Sequence, residues 1–130
     1  MWPAFNPQPF IFIIMDYIIK QSRLEKIIWE YLDKHYYPDY MWNEDKEFYK
    51  KEVDNFGYIT FQVNDGIIYE YFHHRQFYPE RNLRVSSQLY DNLSGFFDDF
   101  WIPVFVKWFE HNTGLDVDSF RYQGETLYTK

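Results

Sequence analysis

Two short apolar segments joined by three turn-forming residues constrain the fold of this chain more than any other feature. Residues Tyr58–Val63 alternate between apolar and polar side chains, and Ile67–Phe72 form a second, returning run. Between them, Asn64-Asp65-Gly66 tolerate the positive φ angles of a tight turn. The pattern predicts an antiparallel β-hairpin over residues 58–72, around which a sheet is organised.

A helical pattern precedes the hairpin. Apolar residues recur from Leu24 to Leu32 at the spacing of one helical face, and Pro38 stops the pattern. Ser22 and Glu25 fit a capping box, in which the serine side chain accepts a hydrogen bond from a free backbone N–H. The sequence therefore predicts a helix over about Arg23–Tyr36.

A second helical region follows the hairpin. Ser86 and Ser87 are suitable N-caps for a helix that continues the apolar pattern. Pro103 predicts a break or a kink near Trp101-Ile102, because proline does not fit inside a helix. Asn112-Thr113-Gly114 has the composition of a helix end.

Shorter elements complete the prediction. A strand is expected at Tyr17–Ile19, a short helix near Asp45–Val53 and a third strand around Leu83–Val85. The tail is expected to pair Ser119–Gln123 with Thr126–Tyr128 around a glycine.

We therefore predict an α+β fold in which two main helical regions pack on a small antiparallel sheet centred on the 58–72 hairpin. Residues 1–14 contain three prolines and are expected to form a loose N-terminal arm. Residues 15–130 have the length of one domain, and no linker divides them.

Composition excludes several classes of protein. The absence of cysteine excludes thiol catalysis, thiolate metal sites and disulfides. A net charge of −7, with basic residues scattered along the chain, argues against nucleic-acid binding. The apolar run Phe10–Ile19 is interrupted by Asp16 and is shorter than the roughly 20 residues of a membrane span. We expect a location in the host-cell cytoplasm or in a virion.

Catalytic and cofactor motifs are missing, and the sequence predicts neither an enzyme nor a cofactor nor a metal site. The five glycines form no phosphate-binding loop, and Ser94 lies in no nucleophile elbow. His73 and His74 are adjacent in a predicted strand and point to opposite faces. Acidic pairs, including Asp98-Asp99, are expected by chance among 20 acidic residues. A small hydrolase that uses His74 with nearby acids stays open as an alternative.

A segment rich in aromatic and acidic residues follows the first helix and is the candidate binding site. Tyrosine and tryptophan offer large contact areas at a small entropic cost and are enriched at interface hot spots. The alternative is that these rings form ordinary core, since the chain contains 14 Phe, 13 Tyr and 5 Trp residues. The predicted partner-binding residues are Tyr36, Tyr37, Tyr40, Trp42, Glu44 and Asp45.

One stretch supports a resemblance. The run from Met15, MDYIIKQSRLEKIIWEYLDKHY, resembles the beginnings of uncharacterised small phage proteins, with a short strand, a polar Gln-Ser step and an amphipathic helix. The resemblance covers about twenty residues and implies a viral or mobile-element origin. It assigns no catalytic residue to this chain.

Together these features favour a non-enzymatic protein-binding module. It would act as an acidic inhibitor or immunity-type protein on a basic surface of its partner. The first alternative is a small virion or assembly component whose exposed rings and N-terminal arm are buried between subunits of a homo-oligomer, and the small hydrolase is the second.

Overall fold

The computed structural model describes residues 8–39, 46–74 and 76–130. These residues form four helices and five strands. In chain order they are α1 (Gln8–His35), α2 (Lys46–Phe56), β1 (Tyr58–Val63), β2 (Ile67–His74), β3 (Tyr78–Val85), α3 (Ser87–Phe97), α4 (Trp101–Thr113), β4 (Ser119–Tyr122) and β5 (Glu125–Thr129). The sheet order is β1-β2-β3-β4-β5, antiparallel except for the parallel pair β3–β4. The predicted α+β fold is confirmed.

The central hairpin forms as predicted. Phe61 lies opposite Tyr69 in the β1–β2 pairing, and Asn64 and Asp65 adopt positive φ angles of 51° and 59°. The carboxylate of Asp39 accepts hydrogen bonds from the backbone N–H groups of both turn residues, at 2.7 and 3.0 Å. The turn is therefore tied to the chain that leaves α1, a contact between residues that are distant in the sequence.

The beginning of the chain differs from the prediction. Helix α1 extends from Gln8 to His35, so the strand expected at Tyr17–Ile19 is wrong, and Ser22 lies inside the helix instead of capping it. Residues 8–14, expected in a loose arm, are helical as well. A short apolar run fits a buried strand and a helix equally well, and periodicity alone does not separate them.

Helix α3 begins and helix α4 ends at the capping residues that the sequence predicts. The Ser86 hydroxyl accepts a hydrogen bond from the Leu89 N–H at 3.4 Å, and Gly114 ends α4 with a left-handed φ of 73°. Pro103 lies in the first turn of α4, where a backbone N–H has no partner within the helix. The break therefore falls at residues 98–100, just before the predicted position.

Helix α4 lies at the centre of the core. Its Phe105 and Phe109 rings make edge-on contacts with the sheet residues Tyr69 and Phe61, with ring centres 5.4 and 5.5 Å apart. On the α1 side, the indole Nε1–H of Trp108 donates to the Asp33 carboxylate at 2.8 Å. Helix α4 therefore joins the sheet to α1. Within the described residues, no helix is long and apolar enough to cross a membrane.

Two buried tyrosines make the fold sensitive to alkali. Tyr69 and Tyr71 are each 1% exposed, and their hydroxyls donate to the backbone oxygens of Tyr36 and Asp116. Burial raises the pKa of both phenols above their ordinary value of 10.0. The unfolded chain therefore loses these protons at lower pH than the folded chain does. The free energy of unfolding is expected to be unaffected by these groups below pH 10 and to fall above about pH 10.

Circular dichroism during alkaline titration measures this transition. The Tyr69→Phe/Tyr71→Phe variant should unfold at higher pH than the parent protein, because the two titrating groups are absent. Tyr128→Phe, at a tyrosine of β5 that is only partly buried, is the matched control and should leave the midpoint unchanged. If the double variant unfolds at the parent's pH, these tyrosines do not set the alkaline limit.

Candidate functional site

A groove separates α1 from the turn that joins α3 to α4. It has a volume of about 510 Å³ and is open to solvent on one side. Leu24 and Ile28 of α1 form one wall, and Phe100, Pro103 and Val104 form the other. The groove, called here the α1–α4 groove, is therefore largely apolar along both walls.

Large apolar side chains lie uncovered at and beside this groove. Phe96 is 70% exposed, and Phe100 and Ile27 are each 52% exposed. The Phe96 ring lies 5.7 Å from the Tyr31 ring, which brings the end of α3 against α1. Exposed apolar surface that is continuous across several residues marks interaction sites more often than scattered single residues do.

Acidic residues lie along one edge of the groove. Asp98 and Asp99, in the turn between α3 and α4, are both exposed and line it. Glu25 also lines it, but its carboxylate is paired with the Lys107 ammonium at 3.2 Å. None of the ion pairs between described residues involves Asp98 or Asp99. The groove is therefore negatively charged at this turn.

Asp98 adopts a strained backbone conformation. Its φ of 50° and ψ of −134° lie outside both the right-handed and the left-handed helical regions. Its N–H closes the end of α3 by donating to the Ser94 carbonyl oxygen at 3.0 Å. Glycine would adopt this conformation with less strain, so the acidic side chain is present despite a local energetic penalty.

The residues predicted from the aromatic–acidic segment either lie apart from this groove or are not among the residues that the structure describes. Tyr36 is 2% exposed, and its hydroxyl accepts a hydrogen bond from the Asn92 side chain at 3.3 Å. Its assignment to a binding surface is corrected, because its ring belongs to the core. Tyr37 is half-buried and packs against the same core. The other four lie outside the described residues: Tyr40, Trp42, Glu44 and Asp45.

A second, smaller cleft contains ionisable groups near the end of β2. It has a volume of about 250 Å³ and includes His73, Arg81 and Asp116 in its lining. The Arg81 guanidinium lies 3.7 Å from the Asp116 carboxylate, and the Asp118 carboxylate accepts from the Arg81 backbone N–H at 3.1 Å. The two aspartates are therefore already engaged. Among the described residues, no group of three potential metal ligands occurs.

The face of the sheet opposite α4 is neutralised by its own ion pairs. Glu70 pairs with Arg84 and accepts a hydrogen bond from the Tyr58 hydroxyl, and Glu80 lies 3.7 Å from Arg121. Glu70, which the sequence places on the same face as His74, therefore has its own partners. The α1–α4 groove, in contrast, has carboxylates without cationic partners in the described part of the chain.

The sequence contained a signal for this groove in the run Phe96-Phe97-Asp98-Asp99-Phe100. The acidic pair was attributable to chance, and the rings fitted the apolar face of a helix. The helix break at residues 98–100 instead turns Phe96 and Phe100 toward solvent. Comparison of the chain with protein-family models, curated proteins and solved structures finds no match.

Proposed function

We propose that this protein is a non-enzymatic protein-binding module, encoded by a phage or a mobile element, that uses the α1–α4 groove. It acts as an acidic inhibitor or immunity-type protein by occupying a basic surface of its partner. The observation that supports this most strongly is that exposed Phe100 lines one groove together with Asp98 and Asp99, which belong to none of the ion pairs between described residues.

The two kinds of residue contribute differently to binding. Burial of the exposed rings removes apolar surface from water, worth roughly 25 cal/mol per Å² before the losses of association are counted. The carboxylates favour a cationic partner, accelerate its approach and disfavour acidic competitors. The net charge of −7 acts in the same direction. Affinity therefore comes mainly from the rings, and selectivity from the acids.

The shape of the groove indicates the form of the partner segment. Its walls are a helix on one side and the beginning of another helix on the other. Such grooves accept an amphipathic helix, whose apolar residues fill the floor while flanking charges meet the rim. The partner element is therefore a helix with an apolar face and adjacent lysine or arginine residues.

Titration with designed peptides tests this function. The probe is an amphipathic helical peptide of leucine and lysine, and its counterpart replaces every lysine with glutamate. Isothermal calorimetry should show binding of the lysine peptide that weakens as salt increases, because the acidic rim is screened. Equal binding of both peptides would contradict the proposed role of the acids, and binding of neither would contradict the proposed function.

Single substitutions show which carboxylates contribute to binding of the lysine peptide. Asp99→Asn should weaken binding of the lysine peptide a few-fold, as expected for a charge at the rim of an interface. Asp65→Asn, an exposed aspartate in the β1–β2 turn, is the matched control and should have no effect. A similar loss from both variants would indicate a response to net charge, with no specific role for the groove.

Asp98→Gly separates stability from binding. Glycine relieves the strained backbone, so the free energy of unfolding in urea should rise by about 1 kcal/mol. The same substitution removes one carboxylate and should weaken binding of the lysine peptide. Asp98→Asn, which removes the charge and keeps a side chain, should weaken binding without the gain in stability. A glycine variant that binds with parental affinity would exclude Asp98 from the binding site.

A pull-down from host or infected-cell lysate then identifies the natural partner. A protein captured by the parent chain should be released by high salt and displaced by the lysine peptide. It should also be lost from the Asp98→Asn/Asp99→Asn variant. A captured protein that meets none of these conditions does not occupy the groove.

A further inference from the structure

The face of the sheet opposite α4 carries a cleft, called here the outer-face cleft. Its volume of about 480 Å³ lies within the roughly 300–1,000 Å³ of small-molecule sites. Leu83 and Phe120, neighbours across β3 and β4, are fully buried, and the Phe120 ring centre lies 5.5 Å from that of Phe105 in α4. Arg84 and Arg121, the next pair along these strands, therefore point to the opposite face, where they line the cleft.

A bulge in β3 shapes this cleft. The β2–β3 register shifts so that the single residue His73 stands where β3 has three residues, 79–81. Pro79 suits this position because it has no backbone N–H to donate to the ladder. Asp118 holds the bulge, because its N–H donates to the Arg81 carbonyl oxygen at 2.9 Å and its carboxylate accepts from the Arg81 N–H at 3.1 Å. Bulges are over-represented beside functional sites, and this one is fixed by hydrogen bonds within the chain.

The charges at the cleft balance one another. The Glu70 carboxylate accepts a hydrogen bond from Arg84 Nε at 2.6 Å, and the Arg121 guanidinium lies 3.7 Å from the Glu80 carboxylate. Two cations therefore face two carboxylates, although the whole chain has a net charge of −7. An anion would have to displace a carboxylate here, and a cation would have to displace an arginine. The cleft therefore favours a ligand without net charge.

The polar side chains of the cleft retain hydrogen-bonding capacity. Arg121 donates from Nε to the side-chain oxygen of Asn82 at 3.1 Å, and Asn82 is 5% exposed. The Arg121 Nη2 atom lies 3.7 Å from Glu80 Oε2, which is too far for a direct hydrogen bond. The two side chains are 38% and 62% exposed. Arg121 and Glu80 therefore offer donors and an acceptor side by side, and Asn82 positions the arginine.

Apolar side chains form the rest of the cleft. Phe77 is 73% exposed, and Pro79 is exposed as well. Phe72 is half-buried, and the guanidinium carbon of Arg84 lies 5.5 Å from the centre of its ring. The Phe72 ring thus has a cationic neighbour within the chain, whereas Phe77 presents exposed aromatic surface to a ligand.

We propose that the outer-face cleft binds a neutral sugar, with one face of the sugar ring on Phe77 and its hydroxyls on Arg121 and Glu80. The face of a sugar ring carries C–H groups, which pack against the negative face of an aromatic ring. Its neighbouring hydroxyls both donate and accept, so they match an adjacent guanidinium and carboxylate. A free monosaccharide and the terminal sugar of a glycan share this chemistry.

Titration of the ¹⁵N-labelled protein with glucose, galactose, mannose and N-acetylglucosamine tests the inference. At least one of these sugars should shift the backbone amides of residues 79–84 and 121–124 and the side-chain Nε–H of Arg121, with saturation in the millimolar range. Glucuronate and galacturonate, which carry a carboxylate on the same rings, should bind more weakly. No shift with any neutral sugar would overturn the inference, and so would tighter binding of the uronates.

Methyl glycosides distinguish the two sources of the sugar. Their C1 position is blocked, as it is in the terminal residue of a glycan. Affinity equal to that of the free sugar would indicate that the cleft accepts a glycan terminus. Loss of binding on methylation would indicate a free monosaccharide.

Substitutions assign binding to the cleft. Arg121→Gln should weaken sugar binding about 10-fold, because it removes charged donors beside Glu80. Arg23→Gln, at an exposed arginine of α1, is the matched control and should have no effect. Phe77→Ala, at an exposed position that does not support the core, should weaken binding several-fold, and circular dichroism checks that each variant is folded. Sugar binding that neither Arg121→Gln nor Phe77→Ala weakens would overturn the inference.

The two proposed sites fail or stand separately. In the described part of the chain, the outer-face cleft and the α1–α4 groove share no lining residue. Phe77→Ala should therefore reduce sugar binding and spare binding of the leucine–lysine peptide, and Phe100→Ala should do the reverse. Peptide binding without sugar binding would remove the sugar site and leave the proposed function standing. Sugar binding without peptide binding would have the opposite meaning.

Discussion

Replacement of Phe96 and Phe100 together by alanine should weaken binding of the leucine–lysine peptide by about 100-fold. An aromatic side chain at the centre of an interface costs more than about 1 kcal/mol when truncated to alanine, and a loss of about 1.4 kcal/mol for each ring gives this factor. Phe100 lines the α1–α4 groove and is 52% exposed, and Phe96, 70% exposed, lies at the end of α3 beside Tyr31 of α1. They make few contacts in the free protein, so the double variant should unfold at nearly the parental urea concentration.

Phe77→Ala is the matched control for this experiment. Phe77 is 73% exposed and lies in the turn between β2 and β3, away from the groove. Its removal should leave peptide affinity unchanged. If Phe77→Ala weakens binding as strongly as the groove variant does, the peptide recognises exposed rings in general. The groove would then have no specific role.

Trp108→Ala should have the largest effect on stability, lowering the free energy of unfolding by about 4 kcal/mol. The side chain is fully buried, and its ring centre lies 5.6 Å from that of Phe105 and 6.2 Å from that of Tyr69. Its loss leaves a cavity between α4 and the sheet and removes the indole donor of Asp33. Since small domains are stable by only about 5–15 kcal/mol, this is a large fraction of the total.

Urea unfolding followed by circular dichroism measures this loss of stability. Two further variants show how much of it depends on the volume and position of the ring. Trp108→Phe keeps most of the ring volume and should be less destabilising, because exposed Asp33 is solvated by water when the indole donor is gone. Trp29→Ala, a half-buried tryptophan against His111, should lower stability by about 1 kcal/mol. Equal losses from Trp29→Ala and Trp108→Ala would contradict the central position of α4.

The elements that the sequence predicted well are those with local chemical signals. Asn64-Asp65-Gly66 required a tight turn, Ser86 supplied a side-chain cap and Gly114 adopted a left-handed φ. Each of these depends on backbone geometry within a few residues. The beginning of α1 lacked such a signal, because the apolar residues from Phe10 to Ile19 fit a strand or a helix and no cap separates them from the turns that follow.

The candidate site was harder to predict because exposure depends on tertiary packing. With a quarter of the chain aromatic, composition does not show which rings remain uncovered. Tyr36 lies in the core because Asp39, three residues later, binds the hairpin turn and holds this segment against the sheet. Phe96 and Phe100 stay exposed because the helix breaks between them at a strained aspartate. Neither the contact of Asp39 with the turn nor the exposure of the two rings has a signature within a short sequence window.

The most direct test of the central claim is a map of backbone amide shifts in the ¹⁵N-labelled protein during titration with the leucine–lysine peptide. The proposed binding site predicts the largest shifts in residues 21–28 and 96–107, on the two sides of the α1–α4 groove. The amides of β1 and β2 should move little, because they lie in the sheet on the far side of α4. Shifts concentrated in the sheet, or none at saturating peptide, would contradict the assignment of the groove as the protein-binding site.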